Sequence, residues 1–159
     1  MSYRIIFILI LLISVNIYST PKFTELNRFG NGFNSHCITI ADFYGNANLD
    51  VAVGNVWDER NQLYVNIGNL NFDLLNLYSH LSTKGMTWGD YNNDGMLDLA
   101  AANNWYEENI LYIQICLSVF ALLDLFGLNN SHTISCADYD NYGDLGLAVA
   151  ALFNSSVNI

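Results

Sequence analysis

Three aspartates, Asp42, Asp90 and Asp138, stand 48 residues apart, and the register between them extends far beyond the aspartates. Set against each other without a gap, Asp42 to Leu77 and Asp90 to Leu125 share 15 of 36 residues. The shared residues include Leu49/Leu97, Asp50/Asp98, Ala52/Ala100, Asn55/Asn103, Trp57/Trp105, Glu59/Glu107 and Asn61/Asn109. Leu145 and Ala148 carry the register into a third unit. An internal repeat of this size constrains the fold before any single motif does, because each unit must bury one face against its neighbours.

Every unit follows the same order. In the middle one, Thr87-Trp88-Gly89 leads into a polar loop, Asp90 to Gly95, and then into Leu97 to Ala102. A polar turn from Asn103 to Asn109 precedes Ile110 to Ile115, and Phe120 to Phe126 closes the unit. Short apolar stretches bounded by Asn and Gly read as strands and turns. Four short strands in a unit of this length match one β-propeller blade, so the expected class is all-β. The expected architecture is about three 48-residue repeats of four antiparallel strands, near 35–82, 83–130 and 131–159, forming a partial or open propeller. A helix-pair repeat is disfavoured by the closely spaced Asn and Gly.

The loops suit a hard divalent cation. The middle loop places Asp90, Asn92, Asp94 and Asp98 at its first, third, fifth and ninth positions. Gly95 permits a tight turn, and the carbonyl of Met96 adds an oxygen. Calcium takes six to eight such oxygens. The EF-hand is excluded, because it requires Glu at the twelfth position and flanking helices, whereas Ala101 stands there in a strand-like run. The first loop offers Asp42, Asn46 and Asp50, with Tyr44 and Ala47 at expected ligand and glycine positions. The third offers Asp138 and Asp140, with Tyr142 and Gly146 in place of ligands. Asp and Asn at these spacings also form turns by bonding their own backbone, a reading that stays open for each loop.

Asp-x-Asn-x-Asp-Gly-x-x-Asp at Asp90–Asp98 and Asn61-Gln62-Leu63-Tyr64-Val65-Asn66-Ile67-Gly68 together resemble the FG-GAP/VCBS repeat. That repeat builds the propeller of integrin α chains and of secreted proteins of the cartilage acidic protein kind. The resemblance runs from about Phe23 onward and is most specific in the middle unit. It implies calcium held by the side chains of Asp90, Asn92, Asp94 and Asp98 and by the carbonyl of Met96. Asp42, Asn46 and Asp50, and likewise Asp138 and Asp140, match that pattern in part.

Residues 1–19 read as an export signal. Arg4 precedes the apolar run Ile5–Ile13, and Ser14, Ser19 and Thr20 follow. The run is short for a membrane span, which needs about 20 residues. An uncleaved anchor is the alternative. Residues 20–159 then form the repeat domain, expected outside the cell. Sequons at Asn129 and Asn154 agree with that compartment. At 48 residues per unit the chain holds fewer blades than a closed ring, which suggests a truncated repeat fragment of a larger extracellular protein or enzyme with no activity of its own, an open arc, or a ring completed by another chain. An open arc would expose apolar faces and strand edges, a route to self-association.

Fifteen acids against five bases give a net charge of -10. Nucleic-acid binding is excluded on that balance, since phosphate contacts need clustered Lys and Arg. Cys37, Cys116 and Cys136 leave two readings, one disulfide with a free thiol or three buried thiols. Ser35-His36 and Ser131-His132 recur two periods apart. They lack an orienting acid and read as strand-end residues, so no catalysis is expected. Trp57, Trp105, Tyr106 and Phe153 fall at or beside equivalent turn positions. Packing between blades is the favoured role for these aromatics, and one recognition face is the alternative. The expected function is a non-catalytic, secreted calcium-binding module for an extracellular protein or glycan.

Overall fold

A computed structural model describes residues 32–69, 71–116, 119–125 and 130–152. The signal reading, both sequon asparagines Asn129 and Asn154, and Phe153 lie outside those residues. The described chain is all-β, with ten strands and no helix. The strands are β1 (Ser35–Ala41), β2 (Asp50–Asn55), β3 (Arg60–Gly68), β4 (Asn71–His80), β5 (Thr83–Gly89), β6 (Asp98–Asn103), β7 (Asn109–Cys116), β8 (Val119–Leu125), β9 (Asn130–Ala137) and β10 (Gly146–Leu152). They form antiparallel sheets in the order β1-β2-β3-β4, β5-β6-β7-β8 and β9-β10. No sheet closes on itself among the described residues. No helix of the described residues is long and apolar enough to cross a membrane.

The strands keep the 48-residue period. Asp50–Asn55 recurs as Asp98–Asn103, and Ser35–Ala41 as Thr83–Gly89. The irregularities recur too. Pairing skips one residue between Ser35 and Cys37, between Thr83 and Gly85, and between Ser131 and Thr133. His36, Lys84 and His132 are therefore the extra residues of equivalent bulges, which accounts for the two repeated histidines.

The sheets stack face to face, with β5 lying against β1 on one side and β9 on the other. Side chains alternate across a strand, so β6 serves two cores. Leu99 and Ala101 pack with Ala52, Leu63 and Val65 of the first sheet. Ala100 and Ala102 pack with Leu111 and Ile134, and with half-buried Leu147 and Val149 of the third. All six residues of β2 and of β6 are buried, because each lies inside its sheet and both its faces are covered. Gly85 allows the close approach of β5 to β9: a Cβ there would stand 2.9 Å from the Thr133 Cα.

A buried polar ladder crosses the first junction. Asn61 Nδ2 donates to Thr83 Oγ1 at 2.7 Å, and Thr83 Oγ1 donates to Asn103 Oδ1 at 2.7 Å. Asn55 N donates to Asn61 Oδ1, and Asn103 N to Asn109 Oδ1, both at 2.9 Å. All five residues are buried. The three cysteines are free thiols: Cys116 is exposed, and Cys37 and Cys136 are half-buried. The structure thus holds neither a disulfide nor three buried thiols. Burial pushes the Cys37 thiol up to about 11, so it is a poor nucleophile at neutral pH.

Candidate functional site: the aspartate loops and the aromatic turns

Each loop joins the first strand of its sheet to the second, β1 to β2, β5 to β6 and β9 to β10. In all three, the first aspartate accepts the backbone N–H five residues on: Ala47 N to Asp42 Oδ2 at 2.8 Å, Gly95 N to Asp90 Oδ2 at 2.8 Å, and Gly143 N to Asp138 Oδ2 at 3.0 Å. That donor residue is left-handed every time, with φ of 66°, 85° and 96°. Ala47 adopts the glycine conformation in the first loop, so the sequence difference does not change the turn. The Oδ1 of Asp42 and of Asp90 takes the N–H four residues on, from Asn46 and Asp94. Asp138 Oδ1 is enclosed and has no hydrogen-bond partner.

The middle loop is the most fully bonded. Met96 N donates to Asp94 Oδ1 at 2.8 Å, and Asp94 N to Asn92 Oδ1 at 3.0 Å. Asn92 Nδ2 donates to Asp94 Oδ2 at 2.9 Å. Asn93 reaches across to the third loop, its Nδ2 donating to Asp144 Oδ1 at 2.7 Å. A cleft of about 460 Å³ separates the first loop from the second, with Asp42, Tyr44 and Met96 among its lining residues.

The ninth-position aspartates stand apart from the loop tips. Asp50 and Asp98 are both 0% exposed. Asp98 Oδ2 accepts Tyr91 N and Oδ1 accepts Gln114 N, each at 2.9 Å. Asp50 does the same with Phe43 N at 2.9 Å and Asn66 N at 2.7 Å. Each carboxyl therefore ties the start of its loop to the third strand of its own sheet. These braces were not distinguishable from ligands by spacing alone.

The donor chemistry fits a hard cation. Asp90, Asn92, Asp94 and Asp98 supply only oxygens, and a carboxylate oxygen that accepts one N–H keeps a second lone pair. Burial raises the pKa of Asp98 most, and the charges of Asp94 and Asp90 add to it; burial likewise leads at Asp50, with Asp42 adding to it. Among the described residues, no three His, Cys, Asp or Glu side chains are gathered as a metal-holding group. The loop tip is instead held by its own amides.

Burial is the largest cause that holds Asp50, Asp98 and Glu107 above the ordinary carboxylate range. A carboxyl with a raised folded pKa binds its proton more tightly folded than unfolded. Its contribution to stability is complete below the unfolded pKa and is lost as pH rises through the folded value. Asp138 has the opposite sign. Desolvation is the largest single cause and raises it, but hydrogen bonding at the carboxyl, led by the Gly143 N–H, together outweighs this and lowers it. Its contribution is lost as pH falls through the folded value. The change at Asp138 falls below the ordinary Asp range, so above about pH 4 only the raised groups act, and the melting temperature in chelator should rise as pH drops from about 7 to about 4. Scanning calorimetry at steps between those values checks this, and a falling melting temperature would rule the balance out.

At the opposite ends of β2 and β6, two tight turns carry the aromatics. Trp57 and Asp58 have φ of 71° and 63°, and Trp105 and Tyr106 have 64° and 63°. Consecutive left-handed residues favour Asn-Gly, and a bulky side chain there costs roughly 1–2 kcal/mol per residue. The asparagine ladder holds these turns: Asn55 Nδ2 donates to Arg60 O and Asn103 Nδ2 to Glu108 O, both at 2.6 Å. Glu59 and Glu107 latch each turn to the segment before the first strand of its own sheet, accepting N–H from Asn34 and Ser82 at 2.5 Å. The structure corrects the expected packing role. Trp57, Trp105 and Tyr106 are 69%, 63% and 67% exposed, so the turn projects them outward rather than between sheets.

The intersheet aromatic is a different residue. Phe43, the second residue of the first loop, is buried with its ring 5.5 Å from Trp88 and 5.3 Å from Phe120. Tyr91 takes the equivalent place against the second core. The aromatic that recurs after each loop aspartate (Phe43, Tyr91, Tyr139) is a sequence signal that would have found it.

Together these features define a repeat protein of stacked antiparallel sheets, each entered through an aspartate-cradled loop. No family model and no curated protein matches the chain.

Proposed function

We propose that the chain is a secreted, non-catalytic module of FG-GAP/VCBS-type β-propeller blades, stiffened by calcium and binding an extracellular protein or glycan. The recurrent cradle of Asp42, Asp90 and Asp138 around a left-handed residue carries this reading. It pre-forms the same turn in three loops and leaves oxygen lone pairs beside it. Asp90, Asn92 and Asp94, with the carbonyl of Met96 and the remaining lone pairs of Asp98, would hold the ion. The face-to-face stacking of sheets at the repeat period supports a blade arrangement.

The test is a melt of the chain in millimolar calcium and in chelator, beside Asp94→Ala. Asp94 is exposed and its bonds lie within the loop, so the variant should fold. Calcium at ten times the dissociation constant adds about 1.4 kcal/mol, a few degrees of melting temperature. The wild type should gain that shift and Asp94→Ala should lose most of it. No shift in the wild type would reduce the loops to ordinary turns.

A further inference from the structure

The aromatic turns hold bulky rings in a conformation better suited to glycine, and burial does not compensate them. Backbone strain of this kind persists where the surroundings enforce it, and it gathers at ligand clamps. Here buried asparagines enforce it in both turns. The two turns meet: the Trp57 and Trp105 rings lie 6.2 Å apart at 48°. Tyr106 continues the rim, and a cavity of about 300 Å³ follows, lined by Trp105, Tyr106, His132 and Leu152 among others.

The same turns are acidic. Asp58 and Glu108 are exposed beside the rings, and Asp58 lies close enough to Glu107 to raise its pKa further. Arg60, the cation in these turns, donates its Nε to His80 Nε2 at 2.8 Å. The whole chain carries a charge of -10. Aromatic faces attract cations, tryptophan most strongly, and neighbouring carboxylates add to that attraction. We propose that Trp57, Trp105 and Tyr106 form a rim that binds arginine or lysine side chains on a basic segment of a partner protein. The proposal rests on the binding-module reading and names its partner.

Titration calorimetry of the full chain tests it, with a short Arg-Gly repeat peptide as probe. The same peptide with citrulline for arginine and a neutral chito-oligosaccharide serve as comparisons. The arginine peptide should bind about tenfold more tightly than the citrulline peptide, and more weakly at high salt. Trp57→Asn with Trp105→Asn should weaken it about tenfold. The same variant should melt no lower than wild type, because Asn accepts left-handed φ. Equal binding of the two peptides, or undiminished binding by the variant, would overturn the proposal. So would a clear drop in the variant's melting temperature, which would make the rings packing elements. Oligosaccharide binding lost in that variant, with none for the arginine peptide, overturns the cationic partner and leaves the binding-module reading standing. If no probe binds, the proposal falls, and the calcium melt of Asp94→Ala decides the module reading separately.

Discussion

Asp98→Ala should lower the unfolding free energy by about 3 kcal/mol in chelator, and by at least as much in calcium. The carboxyl is fully buried and accepts N–H groups from Tyr91 and Gln114. Alanine leaves both donors enclosed and unpaired, each at a cost of roughly 1–3 kcal/mol. The relief of burying a charge offsets part of this, which sets the estimate near the lower end. Calcium cannot restore the loss, because the missing bonds join backbone to side chain. Asp98→Asn should fall in between, since its amide keeps one acceptor and turns its NH₂ toward the other N–H. Urea titration with and without calcium measures both. A destabilisation that disappears in chelator would mean that Asp98 acts only as a ligand.

Phe43→Ala should cost about 3–5 kcal/mol, a large fraction of the stability of a domain this size. The ring lies between the first and second sheets against Trp88 and Phe120, within a core that includes Leu63, Met86 and Leu99. Its loop is fixed by the bond from Phe43 N to Asp50 Oδ2, so neighbouring groups cannot easily close the cavity. Phe43→Leu keeps most of the apolar volume and should cost less than half as much. Equal losses for the two would show that ring shape, rather than volume, is what the joint requires.

Much of the architecture is legible in the sequence because each unit must present the same strand, loop and turn to its neighbour. The 48-residue register fixes equivalent strands such as Asp50–Asn55 and Asp98–Asn103, and even the bulges at His36 and His132 follow it. The loops are legible as loops, but the division of labour within them is not. An aspartate that binds a cation and one that braces two backbone amides occupy the same place in a pattern. Only the total burial of Asp50 and Asp98 separates them. The tryptophans mislead for a related reason. Large apolar side chains are ordinarily buried, and no local pattern announces that a ladder of buried asparagines will hold their backbone left-handed. Asn61 and Asn103 are visible as repeated residues, yet Thr83, which joins them, lies on the sheet after that of Asn61, beyond the reach of spacing arguments.

That ladder also makes the stacking of the sheets a keyed joint. Two apolar faces of Ala, Leu and Val can slide past each other with little penalty, since dispersion and hydrophobic contact carry no direction. Asn61, Thr83 and Asn103 remove that freedom. A slip of one strand step would strand amide and hydroxyl groups in a dry interior, so the alternatives to the native alignment become costly even where the native alignment gains little. The polar atoms act as teeth that admit one alignment between these two sheets, and the apolar faces supply the force that closes it.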